Sequence, residues 1–140
     1  MDTNWKELAR TTSEASESGA MDFGQVVKTL MDAGFDGYDV DFRRSTRTAF
    51  LPDGRFLVLE TSPVPHPVGE RFEVDVVREA IREAQTKAPG YTYPGFCAKV
   101  VRAGCAGYHV SILGKRVLYY GRTGETHTEY FPGTGPAAAR

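Results

Sequence analysis

The chain has 140 residues, 17 basic and 18 acidic side chains and a formal charge of −1 at neutral pH. That length suits one compact domain with its own core, and the charge balance supplies no global pull toward nucleic acid or anionic lipid. The N-terminal stretch is polar and acidic, without the order of a signal peptide, and the longest wholly apolar run is "FLVL" at Phe56–Leu59, far short of a membrane span. The expectation is a cytoplasmic protein with no membrane partner and no nucleic-acid partner. Two cysteines, Cys97 and Cys105, fit a reducing compartment and read as small apolar core residues.

In chain order, Trp5, Leu8, Thr12 and Ala15 mark a first helix. Phe23, Val26, Val27, Leu30 and Met31 fall at i, i+3, i+4, i+7 and i+8, one apolar stripe of a second helix, with Asp22 as N-cap candidate and Gly34 as terminator. The period then changes to 2: Tyr38, Val40 and Phe42 alternate with Asp39, Asp41 and Arg43, as in a strand with one buried face. Second and third strands are expected at Thr46–Leu51 and Arg55–Thr61, separated by a Pro52–Gly54 turn. The linker "TSPVPHPVGE" at 61–70 is punctuated by proline, and His66 reads as a residue packed beside those prolines. Val74, Val77, Ile81 and Ala84 mark a third helix; Tyr93, Phe96, Cys97, Val100 and Val101 mark a fourth, with Thr92 as N-cap candidate, Pro94 in its first turn and Gly104 after its end. Tyr108, Val110 and Ile112 begin another strand, a hairpin turn follows at "LGKR", and further strands are expected at Arg116–Gly121 and Glu125–Phe131. The tail, 133–140, reads as disordered.

"AGFDGYDV" at Ala33–Val40 and "AGCAGYHV" at Ala103–Val110 are nearly one phrase written twice. Laying 23–54 on 93–124 matches Ala33, Gly34, Gly37, Tyr38, Val40 and Gly54 with their counterparts, and the two helical stripes coincide at all five offsets. The expected fold is therefore α+β: a single domain, 1–132, of two pseudo-twofold repeats, 1–60 and 71–131, joined by the linker 61–70. Each repeat reads helix, helix, three-stranded antiparallel meander. One such sheet covers its apolar face poorly alone. Two copies bury matching faces against each other or extend one sheet to six strands.

The phrases "YDVDF", "LPDG", "AGCAGYHV" and "YYGRTGETHTEYFP" (Tyr119–Pro132), with the Pro-His-Pro linker, are similar to the YbcV-like family. That is a bacterial and prophage-borne domain of unknown function, sometimes labelled phage envelope protein. The resemblance covers about residues 17–132. It implies no activity, and family members tend to carry His where this chain has Asp39.

No phosphate-binding loop, zinc motif, paired cysteine motif or nucleophile elbow is present in the sequence. With two-residue hairpin turns, His109 would oppose Tyr120 and Tyr120 would oppose His127, with Ser111, Leu118 and Glu129 aligned on the same face. A pseudo-twofold axis would bring Asp39 and Asp41 toward those histidines. A three-residue turn at Arg122–Gly124 would instead shift the last strand by one residue and part His127 from His109. Basic residues at the hairpin tips, Arg43, Arg44, Arg47, Lys115 and Arg116, would form an anion patch if symmetry brought the tips together. Aromatics concentrate in the second half: Tyr91, Tyr93, Phe96, Tyr108, Tyr119, Tyr120, Tyr130 and Phe131. These suit a ligand cleft, a protein interface or a plain core. The leading expectation is a non-enzymatic module binding a small molecule or a protein between the repeats, with no metal and no cofactor. The alternatives are a small enzyme or metal-binding protein using His109, His127 and Glu129, and a structural or regulatory homodimer.

Overall fold

The computed structural model describes residues 4–135. It holds four helices, α1 (Asn4–Ser18), α2 (Phe23–Asp32), α3 (Val74–Thr86) and α4 (Tyr93–Arg102), and six strands, β1 (Gly37–Asp41), β2 (Thr46–Phe50), β3 (Phe56–Glu60), β4 (Cys105–Ser111), β5 (Arg116–Gly121) and β6 (Thr126–Tyr130). The strands form one antiparallel sheet in the order β3-β2-β1-β4-β5-β6. The three-stranded meanders thus join edge to edge, through β1 and β4. At the centre of that seam Asp39 lies opposite His109, two residues 70 positions apart.

Local chemistry explains the helix ends. Asp22 closes a capping box: its carboxylate accepts from Gln25 N at 2.9 Å, and Gln25 Oε1 accepts from Asp22 N at 2.8 Å. At α4 the Thr92 hydroxyl accepts from Gly95 N at 3.1 Å, and Pro94 occupies the first turn, where no donor is needed. Gly34 and Gly104 follow α2 and α4 with φ of 93° and 92°, a left-handed conformation that costs other residues. The turns also agree between halves. Ser45 and Lys115 both take φ 54°, closing the β1–β2 and β4–β5 connections, and Gly54 and Gly124 both take positive φ in the next turns.

Alternation divides the sheet into two faces. Tyr38, Val40, Ala49, Tyr108, Val110, Val117 and Tyr119 are buried on the inner face, in one core with Val26, Leu30, Val77, Ile81, Phe96 and Val100 of the helices. Among the described residues the opposite face holds no such cover: Phe56, Val58 and Leu118 are exposed there. A second, smaller core joins the linker to α4, where Val68 packs with Val101 and Ala106. Gly69 N donates to Val101 O at 2.9 Å and Glu73 N to Ala103 O at 2.7 Å, so the linker is stitched onto the second half.

The hairpin turns are longer than two residues: Ser111 pairs with Arg116 across a four-residue turn, which the sequence did not suggest, and Gly121 N bonds Glu125 O across the three-residue turn that was the alternative at Arg122–Gly124. The left-handed residues Lys115 and Gly124 complete these turns. Of the tail expected to be disordered from Gly133, Thr134 N and Oγ1 both donate to Phe131 O, at 3.0 and 2.7 Å. The rest of that expected tail, 136–140, lies outside the described residues.

Candidate functional site

The longer turns disperse the constellation expected on one sheet face. In β4–β5 the register moves by two residues: His109 opposes Leu118, and Tyr120 opposes Gly107. Parity is kept, so His109 and Tyr120 remain on the open face. In β5–β6 the shift is one residue, and His127 opposes Tyr119 on the inner face. His127 and Glu129 therefore lie on the opposite side of the sheet from His109, and they bond each other at 2.7 Å.

On the open face Asp39 Oδ1 accepts from His109 Nδ1 across the β1–β4 seam. The bond to Asp39 raises the His109 pKa, against the opposing effect of burial. Tyr120 lies over Gly107, where a Cβ would strike its phenol ring. Burial, then Asp41 and Asp39, push its pKa up. Asp41 and Ser111 are spent on turns. Asp41 Oδ1 accepts from Arg43 N and Arg44 N at 2.9 and 3.1 Å, and Ser111 Oγ accepts from Gly114 N at 2.8 Å. His66 bonds Arg102 at 2.6 Å. No group of three or more His, Cys, Asp or Glu with metal-binding placement occurs among the described residues.

The basic residues do not form one patch. β1 and β4 run antiparallel, with Phe42 N bonding Ala106 O at one end of the seam and Ile112 N bonding Asp36 O at the other. The two hairpin tips thus sit at opposite ends of the sheet. Arg43 and Arg44 are exposed at one tip, and Lys115 and Arg116 at the other. Arg47 belongs to neither, because it pairs with Val40 on the inner face and is only 4% exposed.

A cleft of about 1260 Å³ lies between the helices and the inner sheet face. This exceeds the few hundred cubic ångströms that suffice for many small ligands. Tyr38, Tyr108 and Tyr119 floor it from the sheet, Tyr91 and Tyr93 flank it before and at the start of α4, and Phe23 and Met31 of α2 stand at 42% and 50% exposure on its side. Glu129 also borders it. The Asp22–Lys87 ion pair, 3.0 Å, spans its rim from the α2 cap to the end of α3. Burial raises the pKa of Tyr91 to about 12 and pushes Tyr93, Tyr108 and Tyr119 above their ordinary value. These phenols are therefore neutral donors and acceptors at neutral pH rather than bases. Tyr93 and Tyr108 share a hydrogen bond of 2.7 Å, and Arg47 Nη2 donates to Tyr93 Oη at 3.2 Å and Ser16 Oγ at 3.0 Å.

Seven of the eight aromatics noted in the sequence border this cleft; Tyr120 is the exception. Its α2 and α3 walls and the inward Arg47 were not foreseen. By its nearness to Arg43 and Arg44 the sequence groups Arg47 with the hairpin-tip cations; its alternation with Thr46 and Thr48 is the signal that turns it inward. Phe50 lies on the open face beside the His109 ring, 6.4 Å between centroids. None of the four helices is long and apolar enough to cross a membrane. Compared with known proteins, the chain matches no family model and no curated protein sequence.

Proposed function

We propose that this protein is a non-enzymatic binding module whose cleft holds a small, largely apolar ligand. The carrying observation is the aromatic-lined cleft of about 1260 Å³ between the helices and the inner sheet face. Its apolar walls supply the binding energy, about 25 cal/mol per Å² of ligand surface removed from water. The neutral tyrosine hydroxyls supply orientation. The test is titration with N-phenyl-1-naphthylamine, a neutral dye that fluoresces in apolar sites. A saturable, blue-shifted signal is expected, and Ala84→Trp, which projects bulk from α3 into the cleft, should abolish it. A wild-type protein that leaves the dye dark, or a signal indifferent to Ala84→Trp, would refute the reading.

The two halves are, in this reading, one unit in duplicate and members of the YbcV-like family. The 70-residue spacing of Asp39 and His109 across the seam and the matched backbone angles support duplication; the quoted sequence phrases alone support the family. A homodimer through the open sheet face is a second reading, favoured by Phe56, Val58 and Leu118. Sedimentation equilibrium checks it, with a monomer at all concentrations as the contrary result. The enzyme reading, as built on both histidines, has less to draw on, since His109 and His127 occupy opposite faces.

A further inference from the structure

Among the described residues, Arg47 is a charge without a counter-ion. Its guanidinium stacks over Tyr38 and Tyr93, with centroid distances of 5.2 and 5.8 Å. Nη2 is engaged by Ser16 and Tyr93, but Nε and Nη1 are buried with no acceptor. Among the described residues, no carboxylate forms an ion pair with it. Buried arginines ordinarily satisfy their donors, and an unmet charged donor is costly. Such a residue sits in a fold either at a loss or for a partner.

A place for that partner adjoins it. Arg47 borders a smaller cavity of about 120 Å³, together with Ser45, Thr61, Ser62 and Cys97. Tyr93, Pro94 and Glu17 border both this cavity and the large cleft, and Tyr93 itself accepts from Arg47 Nη2 at 3.2 Å. We propose that Arg47 anchors the acid group of a monocarboxylate whose apolar body fills the cleft, an assignment that rests on the cleft being a ligand site. The Nε–Nη edge of a guanidinium matches a carboxylate with two parallel hydrogen bonds. A single negative charge neutralises this arginine, whereas a phosphate dianion would leave an excess charge in an enclosed site. Because Nε and Nη1 are closed to water, the guanidinium pivots toward the cavity to receive the acid. Glu17, now accepting from Ser62 N at 2.9 Å, is the protein's own competitor for Arg47.

Displacement of N-phenyl-1-naphthylamine by decanoate, decanamide and decyl phosphate tests this on the full-length protein. Decanoate should compete at least tenfold better than decanamide, and better than decyl phosphate. Arg47→Met should erase the acid–amide difference while still binding the dye, and its melting temperature should match or exceed that of wild type, as expected on removing an unpaired buried charge. Glu17→Gln should tighten decanoate and leave decanamide unchanged. Equal competition by acid and amide in the wild type, which needs no variant, overturns the carboxylate assignment yet leaves the binding module standing. So does a preference for decyl phosphate, or an acid preference that survives Arg47→Met. A wild type that never binds the dye defeats the module itself.

Discussion

The helices α2 and α4 carry their apolar residues at the same five offsets, yet they end in different surroundings. Val101 on α4 is 1% exposed, whereas Met31, its counterpart on α2, is 50% exposed. The reason lies in the linker. Val68 and the Gly69 backbone settle on α4 and seal it, and among the described residues nothing covers Met31 in that way. Equal local patterns thus yield a closed flank in one half and the wall of a cleft in the other.

The comparison is sharpest at the glycines that end these helices. Gly34 and Gly104 share a left-handed φ, but a Cβ on Gly34 would meet nothing within 4 Å, while one on Gly104 would run into the Arg71 carbonyl. Gly34→Ala should cost only the backbone strain, about 1–2 kcal/mol. Gly104→Ala should cost more than about 4 kcal/mol, or prevent folding, since backbone must move. Urea denaturation of the two variants decides it, and equal losses would show that the linker yields easily. Next in size is the stripe itself. Val101→Ala should lose about 2 kcal/mol, and Met31→Ala less than about 0.5 kcal/mol, by the same measurement.

A smaller effect is expected where the halves meet. The Asp39 bond raises the folded-state pKa of His109 above its ordinary 6.5. Stability from this pair is therefore fully present below about pH 6.5 and lost as pH rises through the folded value. Both side chains are substantially exposed, so screening keeps the contribution under about 1 kcal/mol. Asp39→Asn should flatten this part of the stability–pH curve, and an unchanged curve would mean that the bond is not kept in solution. The thiols give the smallest contrast. Burial raises Cys97 to about 11 and Cys105 to about 12. Iodoacetamide should modify both slowly at pH 7.5, Cys97 first because it borders the small cavity, as mass spectrometry would register. Faster labelling of Cys105 would indicate opening at the seam strand rather than at the cavity.

Helix stripes, caps, the switch from period 3.6 to period 2 and the repeated glycine phrase are local patterns, and each was readable from adjacent residues. The β-carbons alternate strictly along a strand, so an error of one residue in a turn reverses every side chain beyond it. That is why the placement of His127 needed the three-residue turn at Arg122–Gly124, and why Arg47 looked like a hairpin-tip cation until its pairing with Val40 turned it inward. The aromatic excess of the second half was plain in the composition, but one of the cleft's walls comes from α2, far away along the chain. Short-range sequence determined which elements form and where they stop. The cleft, the unpaired guanidinium and the seam between Asp39 and His109 arose only from long-range pairing, because which faces meet depends on register and on what the single linker covers.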